Sequence, residues 1–399
     1  MNGIELRCVV AAQHPLWVTF ASLGGCAARF AKISCGWTVL GVKTLGHLNN
    51  TLGRLSKGGK HMTTLAEYLK RHQLIAYFVL TYLCTWVILI VFQPIYLEGQ
   101  RMVAPLMSLG IFAPALVSIG LSAVLKPRSR EGSRKPAMIT FFIVWLLASP
   151  IIILCLTVNQ EMELSARLVI VSTITGLLPA FICSSAFSTV PGVRDQLRTY
   201  RKPRGSFGYY FLALILVPVV WLLGNVLSRT LGMVVPFSRY PVVNVKLLGM
   251  VILFFLYNFI YGGLSEEPGW RGFALPRLQA KFSPLVSSLI LGVLWAVWHA
   301  PAKFGGIEAT SLSDTLVEWV LIVLVTIIFT WLFNRTEGSI LVTALIHPAM
   351  NTTGNFLTAS IGALILLLVF TIFVIVLDKM WRKLPEDNPA IYRFNTLAA

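Results

Sequence analysis

Two adjacent carboxylates, Glu266 and Glu267, stand between long apolar runs in the stretch Ser265-Glu266-Glu267-Pro268-Gly269-Trp270-Arg271. On a helix of 3.6 residues per turn, neighbours point about 100° apart, so the two cannot share one task. Glu267 and Arg271 are four residues apart, the spacing of an ion pair on one helix face. Glu266 then points elsewhere with no arginine to neutralise it, and a carboxylate in a water-poor pocket is a competent general base. Of the six histidines only His299 and His347 are embedded in apolar sequence. His299 follows Trp295 by four residues, which sets both on one face. His347 and Asn351 are co-facial in the same way, and an imidazole with an amide one turn away suits a developing oxyanion. A second chemistry uses the same groups. Glu266, His299 and His347 would supply three ligands to a divalent metal such as zinc, with a water in the fourth position. The spacing leaves both open.

These side chains must be carried by membrane helices. Of 399 residues 56% are hydrophobic and 12% charged, about half the charge of a soluble domain, and the mean hydropathy is +0.76. Apolar runs of about 20 residues, the length a bilayer core requires, recur from Leu74 to Leu377. The fold class is therefore all-α, a polytopic transmembrane helical bundle. Candidate spans are 74–92, 102–125, 137–157, 165–190, 208–228, 245–263, 285–301, 316–334, 339–356 and 358–377, with about eight crossings and the ambiguity held in 339–377. Phe282-Ser283-Pro284 predicts a turn between antiparallel helices. Glu266 precedes Ser283 by 17 residues and His299 follows it by 16, so the two should lie at one depth. The expectation is a buried acid, two imidazoles and an amide from separate helices around one water-accessible cavity.

The net charge of +17 does not point to nucleic acid, because the bases crowd every other loop between apolar runs. That is the pattern that orients membrane helices, and it puts both termini in the cytoplasm. Residues 62–240 read as N-terminal transmembrane helices, 241–378 as a catalytic transmembrane core and 379–399 as a cytoplasmic tail. Residues 1–61 are acid-poor and interrupted by glycines, a poorly structured extension that reads as a start codon set too early or as a leader. The six cysteines show no CxxC and no disulfide framework. No HExxH, GxGD or GxSxG occurs. Trp270 and Trp298 read as packing or interfacial aromatics rather than substrate readers.

Glu266 through Arg271 resembles the EExxxR motif of the CPBP family, which includes type II CAAX prenyl proteases and bacteriocin-processing or self-immunity proteins. Trp295 to His299 is similar to its FxxxH motif, with Trp for Phe, and His347 to Asn351 to its HxxxN/B motif. Asn334 to Ser339 is similar to the family's lead-in, and the resemblance covers about 245–356. It implies an intramembrane endopeptidase of a bacterial plasma membrane, acting on a membrane-associated peptide or protein, a CAAX-type C-terminus among them. Glu266 would activate water, His299 would help orient it, and His347 with Asn351 would bind the oxyanion. Glu267 and Arg271 would hold the helix in register, with Trp295 in support. Such members have been treated as metalloproteases, yet the motifs fit a glutamate mechanism without tightly bound metal equally well. Two rival readings remain at this stage: a non-catalytic immunity or scaffold protein of the same family, and a proton-coupled transporter. The absence of an internal repeat weighs against the latter.

Overall fold

The computed structural model of the chain describes residues 67–127, 132–236, 244–308 and 311–393. The expectations for residues 1–61 lie outside them. Among the described residues there is no strand. The longer helices are α1 (Gln73–Leu97), α2 (Ala104–Ile111), α3 (Ala113–Leu125), α4 (Lys135–Val158), α5 (Ala166–Ser185), α6 (Phe207–Thr230), α7 (Val245–Gln279), α8 (Pro284–Phe304), α9 (Leu312–Arg335), α10 (Ile340–Phe356) and α11 (Ile361–Leu377), with two short helices, Pro191–Gln196 and Arg198–Arg201, between α5 and α6. Seven are long and apolar enough to cross a bilayer. The pair α2–α3, bent by 50°, makes an eighth where it is counted as one broken span. The bundle and the count of about eight agree with the sequence.

The stretch 339–377 holds the two helices expected there, each of 17 residues. Of these α10 is buried along nearly its whole length, so it is an inner helix. The span that departs from its expected limits is α7, which does not stop at 263 but runs on through the carboxylates to Gln279. Burial separates inner from outer elements: 28% of the most apolar window of α1 and of α4 is buried against 61% for α9. The first two therefore face lipid and α9 faces the core. That core joins Tyr77 of α1, Trp270 and Phe273 of α7, Trp295 and Trp298 of α8, and Phe329 and Phe333 of α9.

Chain reversals follow local chemistry. Ser283 caps α8 with its hydroxyl on the Val286 N–H, and Pro284 occupies the first helical position, where its missing N–H costs nothing. This is the turn expected at Phe282–Pro284. Between α9 and α10, Glu337 and Gly338 take left-handed backbones (φ 53° and 80°). Gly338 N–H donates to Phe333 O at 2.8 Å and Glu337 N–H to Asn334 O at 3.1 Å, a Schellman closure of α9. The chain after α11 folds back. Tyr392 N–H donates to Pro276 O, and the Arg277 guanidinium lies 3.7 Å from the Tyr392 ring.

The irregular part of α7 positions the site. Phe259–Leu264 and Trp270–Ala274 are π-helical, with Glu266 to Gly269 between them. Wide turns and Pro268 break the regular ladder, and a carbonyl left open at membrane depth must find a donor within the protein. Three such carbonyls do. Gly263 O accepts from the Tyr200 hydroxyl at 3.1 Å, Ser265 O from Ala115 N–H at 3.1 Å, and Pro268 O from Gln196 Nε2 at 2.8 Å. Ala115 has its N–H to give because α2–α3 bends there, so two helix breaks satisfy one another. Gln196 is itself held by Ser118 and Ser122 of α3. Gln196→Ala should therefore orphan Pro268 O at a cost on the order of 1–3 kcal/mol. A lowered midpoint in thermal melts of the detergent-solubilised protein is expected; an unchanged midpoint would show that the clamp carries no stability.

Candidate active site

Glu266 is buried, and its Oε2 accepts two indole N–H bonds, from Trp295 at 2.6 Å and from Trp270 at 3.1 Å. Its Oε1 lies 3.9 Å from His347 Nε2. Glu267 Oε1 accepts from Arg271 at 2.9 Å, the ion pair expected from the i,i+4 spacing, and also from His347 Nδ1 at 2.8 Å. The two carboxylates thus flank one imidazole from opposite sides. A regular α-helix would have pointed them at separate neighbours. The backbone at Glu266 (φ −116°, ψ −46°) departs from that geometry, and this lets both reach His347.

Aromatic rings encase the charges. The Arg271 guanidinium is sandwiched between Trp295 and Phe329, 4.4 and 4.6 Å from their centroids, a desolvated arrangement in which ring faces attract the cation. The His347 ring sits 5.4 Å from Trp295 and 6.0 Å from Phe329. Gly262 lies directly beneath it. A Cβ there would come within 2.7 Å of the imidazole.

His299 ends the regular part of α8 and packs on Trp295, ring centroids 5.9 Å apart, with Nδ1–H donating to Trp295 O at 2.7 Å. The chain spacing put His299 level with Glu266, but the residue that meets Glu266 is Trp295, one turn earlier. Residues in π-turns advance less along the axis than in α-turns. The Trp270–Ala274 stretch therefore shortens the arm from Glu266 to the Ser283 turn, and the returning helix comes level sooner. Asn351 points from α10 to α7, where its Nδ2 donates to Asn258 Oδ1 at 3.1 Å. Its own Oδ1 has no hydrogen-bond partner.

Glu266, Glu267, Arg271, Trp295 and His347 thus form one contact cluster. His299 abuts it across the Trp295 ring, and Asn351 adjoins it one turn beyond His347. None of Glu266, His299, His347 and Asn351 is more than 2% exposed, so the open cavity expected around them is closed in this conformation. A void of about 340 Å³ is lined by Tyr257 and Tyr261 of the same helix, not by these four. Three zinc ligands must reach a common point at about 2.0–2.2 Å. Among the described residues no three His, Cys, Asp or Glu side chains gather in that way, and both indoles crowd one oxygen of Glu266. In this arrangement the three residues do not fit a metal site.

Sequence reasoning missed four contributors. Trp270 was read as packing, yet its N–H binds Glu266. Asn258, Gln196 and Tyr200 carried no motif signal, although Asn258 was an amide within an apolar run and could have been flagged on that ground.

Residues 248–353 match the family described as type II CAAX prenyl endopeptidase Rce1-like. The match spans α7 to α10 and so takes in every residue of the cluster. The chain is also 25% identical, over 194 residues, to the CAAX prenyl protease 2 of Methanococcus maripaludis, an alignment covering 45% of this chain and 72% of that protein. With three motifs in order, their side chains gathered between the same four helices, and these two matches over that region, the chain is similar from α7 to α10 to the CPBP family of membrane proteases.

Proposed function

We propose that this membrane protein is an intramembrane endopeptidase in which Glu266 activates water for attack on a peptide carbonyl. What supports this most is the facing pair Glu266 Oε1 and His347 Nε2, 3.9 Å apart, with His347 held in place from behind by Glu267. Two polar atoms at that separation can both hydrogen-bond one water at the usual 2.7–3.2 Å. Glu266 takes the water proton as the oxygen bonds to the carbonyl carbon. His347, whose Nδ1–H is given to Glu267, accepts the second hydrogen of that water at Nε2, and the oxyanion that forms is met by the second N–H of Asn351 Nδ2, which Asn258 aims by accepting the first. Collapse of the intermediate breaks the C–N bond, and Glu266 returns the proton to the leaving amine. His299 helps orient the water through its contact with Trp295.

The substrate is a membrane-associated peptide or protein presented where helices meet the boundary, and the name of the methanococcal relative makes a CAAX-type C-terminus the first to assay. A non-catalytic immunity or scaffold role would have no use for a carboxylate held by two neutral indoles rather than by a cation.

Glu266→Gln keeps the shape and removes the base. Turnover of a peptide library by the purified protein should fall about 10²–10⁴-fold with the melting midpoint retained; equal turnover by both proteins would remove Glu266 from this role. Gly262→Ala tests the placement of His347. The added methyl must displace a ring that Glu267 pins, and a catalytic group moved by about 1 Å costs on the order of 10²-fold. Reduced kcat in a protein that still binds substrate is the expected result, and unchanged kcat would mean that His347 tolerates displacement.

A further inference from the structure

The void of about 340 Å³ lies between α2, α4, α5 and α7, beside the loops 98–103 and 159–165 that join their ends. Its size falls in the range of about 300–1,000 Å³ found for small-molecule sites. The walls are apolar, built by Ile152, Leu156, Leu168 and Val171. Tyr257 and Tyr261, stacked with centroids 4.6 Å apart, form the side against α7. Ser172 also lines it, fully buried, with a hydroxyl that has no hydrogen-bond partner. The charged residues are Arg101, Arg167 and Glu163, which leave one net positive charge. Arg101 is fixed by stacking 4.3 Å over the Tyr96 ring.

The geometry points to a binding site for a membrane lipid with an anionic head group. Its chain would fill the apolar interior, and its head would lie between Arg101 and Arg167 at the level where spans meet loops. An apolar shaft beneath a cationic rim, at the end of membrane helices, complements such an amphiphile on both counts. A neutral or zwitterionic lipid would gain only the first. The occupant would touch Tyr257 and Tyr261, on either side of Asn258, and so would brace the helix that presents Glu266. The site stands whether or not the carboxylates hydrolyse a peptide.

The test uses the full chain in nanodiscs of phosphatidylcholine, with a diazirine-bearing phosphatidylglycerol as probe and mass-spectrometric mapping of the label. Label should concentrate on residues lining the void and be displaced by excess unlabelled phosphatidylglycerol but not by added phosphatidylcholine. It should fall about tenfold in Arg167→Glu, an exposed position whose reversal does not threaten folding, and in Ala104→Trp, which places a ring in the void. Label spread evenly over lipid-facing helices, displacement by both lipids alike, or unchanged label in both variants would each overturn the proposal. So would displacement by a farnesylated peptide and not by phosphatidylglycerol.

Discussion

The carbonyls of Gly263, Ser265 and Pro268 have to be hydrogen-bonded where no water is at hand, and much of the architecture answers to that requirement. An unbroken α-helix would satisfy them internally but would turn Glu266 and Glu267 towards different neighbours. The break lets both reach one imidazole, and each carbonyl it releases then needs a donor from elsewhere in the fold. The donors come from the bend in α2–α3 and from the short helices at 191–201, which otherwise look like an ordinary basic loop. The same loop binds the start of α10, since Thr199 Oγ1 accepts from Ile340 N–H at 2.9 Å. One loop therefore fixes the two helices that bear Glu267 and His347.

A buried Glu–Arg pair is weak evidence for stability, because desolvation consumes much of the Coulombic gain. Here its worth is positional. Arg271 anchors Glu267 and Glu267 anchors His347, in a chain of contacts of 2.9 and 2.8 Å. Trp295 and Phe329 close over the guanidinium and exclude water from it. The whole charged set is thereby wrapped in aromatic surface rather than in polar loops, which is why it lies inside a hydrophobic cluster without disrupting it.

Much of this was legible in the chain. The helical class, the approximate span count, the turn at Ser283 and the Glu267–Arg271 pair all follow from hydropathy, capping chemistry and i,i+4 spacing, because those are local properties. The depth of His299 and the shared imidazole were not, because both depend on π-helical turns. Hydropathy does not register such turns, and a 3.6-residue period misplaces residues across them. The extension of α7 past 263 was hidden for a related reason: the carboxylates interrupt the apolar run that marks a span without interrupting the helix. Gln196 and Tyr200 were invisible because their partners are backbone carbonyls, which have no side-chain signature.

α8 is tied at both ends. At one, Leu285 N–H donates to Met380 O at 2.9 Å beside the Ser283 cap. At the other, buried Lys303 bridges Glu308 at 2.5 Å and Glu318 at 2.6 Å. Charge is thus used at the Lys303 end of α8 and withheld where the helix meets Glu266. Had Trp295 and Trp270 been arginine or lysine, the carboxylate would be ion-paired like Glu267 and a poor proton acceptor. Indole N–H groups donate hydrogen bonds of good geometry yet carry no net charge, and each brings a large ring that excludes solvent. They orient Glu266 without neutralising it. Two adjacent glutamates thus differ in what faces each: a guanidinium at Glu267 and two indoles at Glu266.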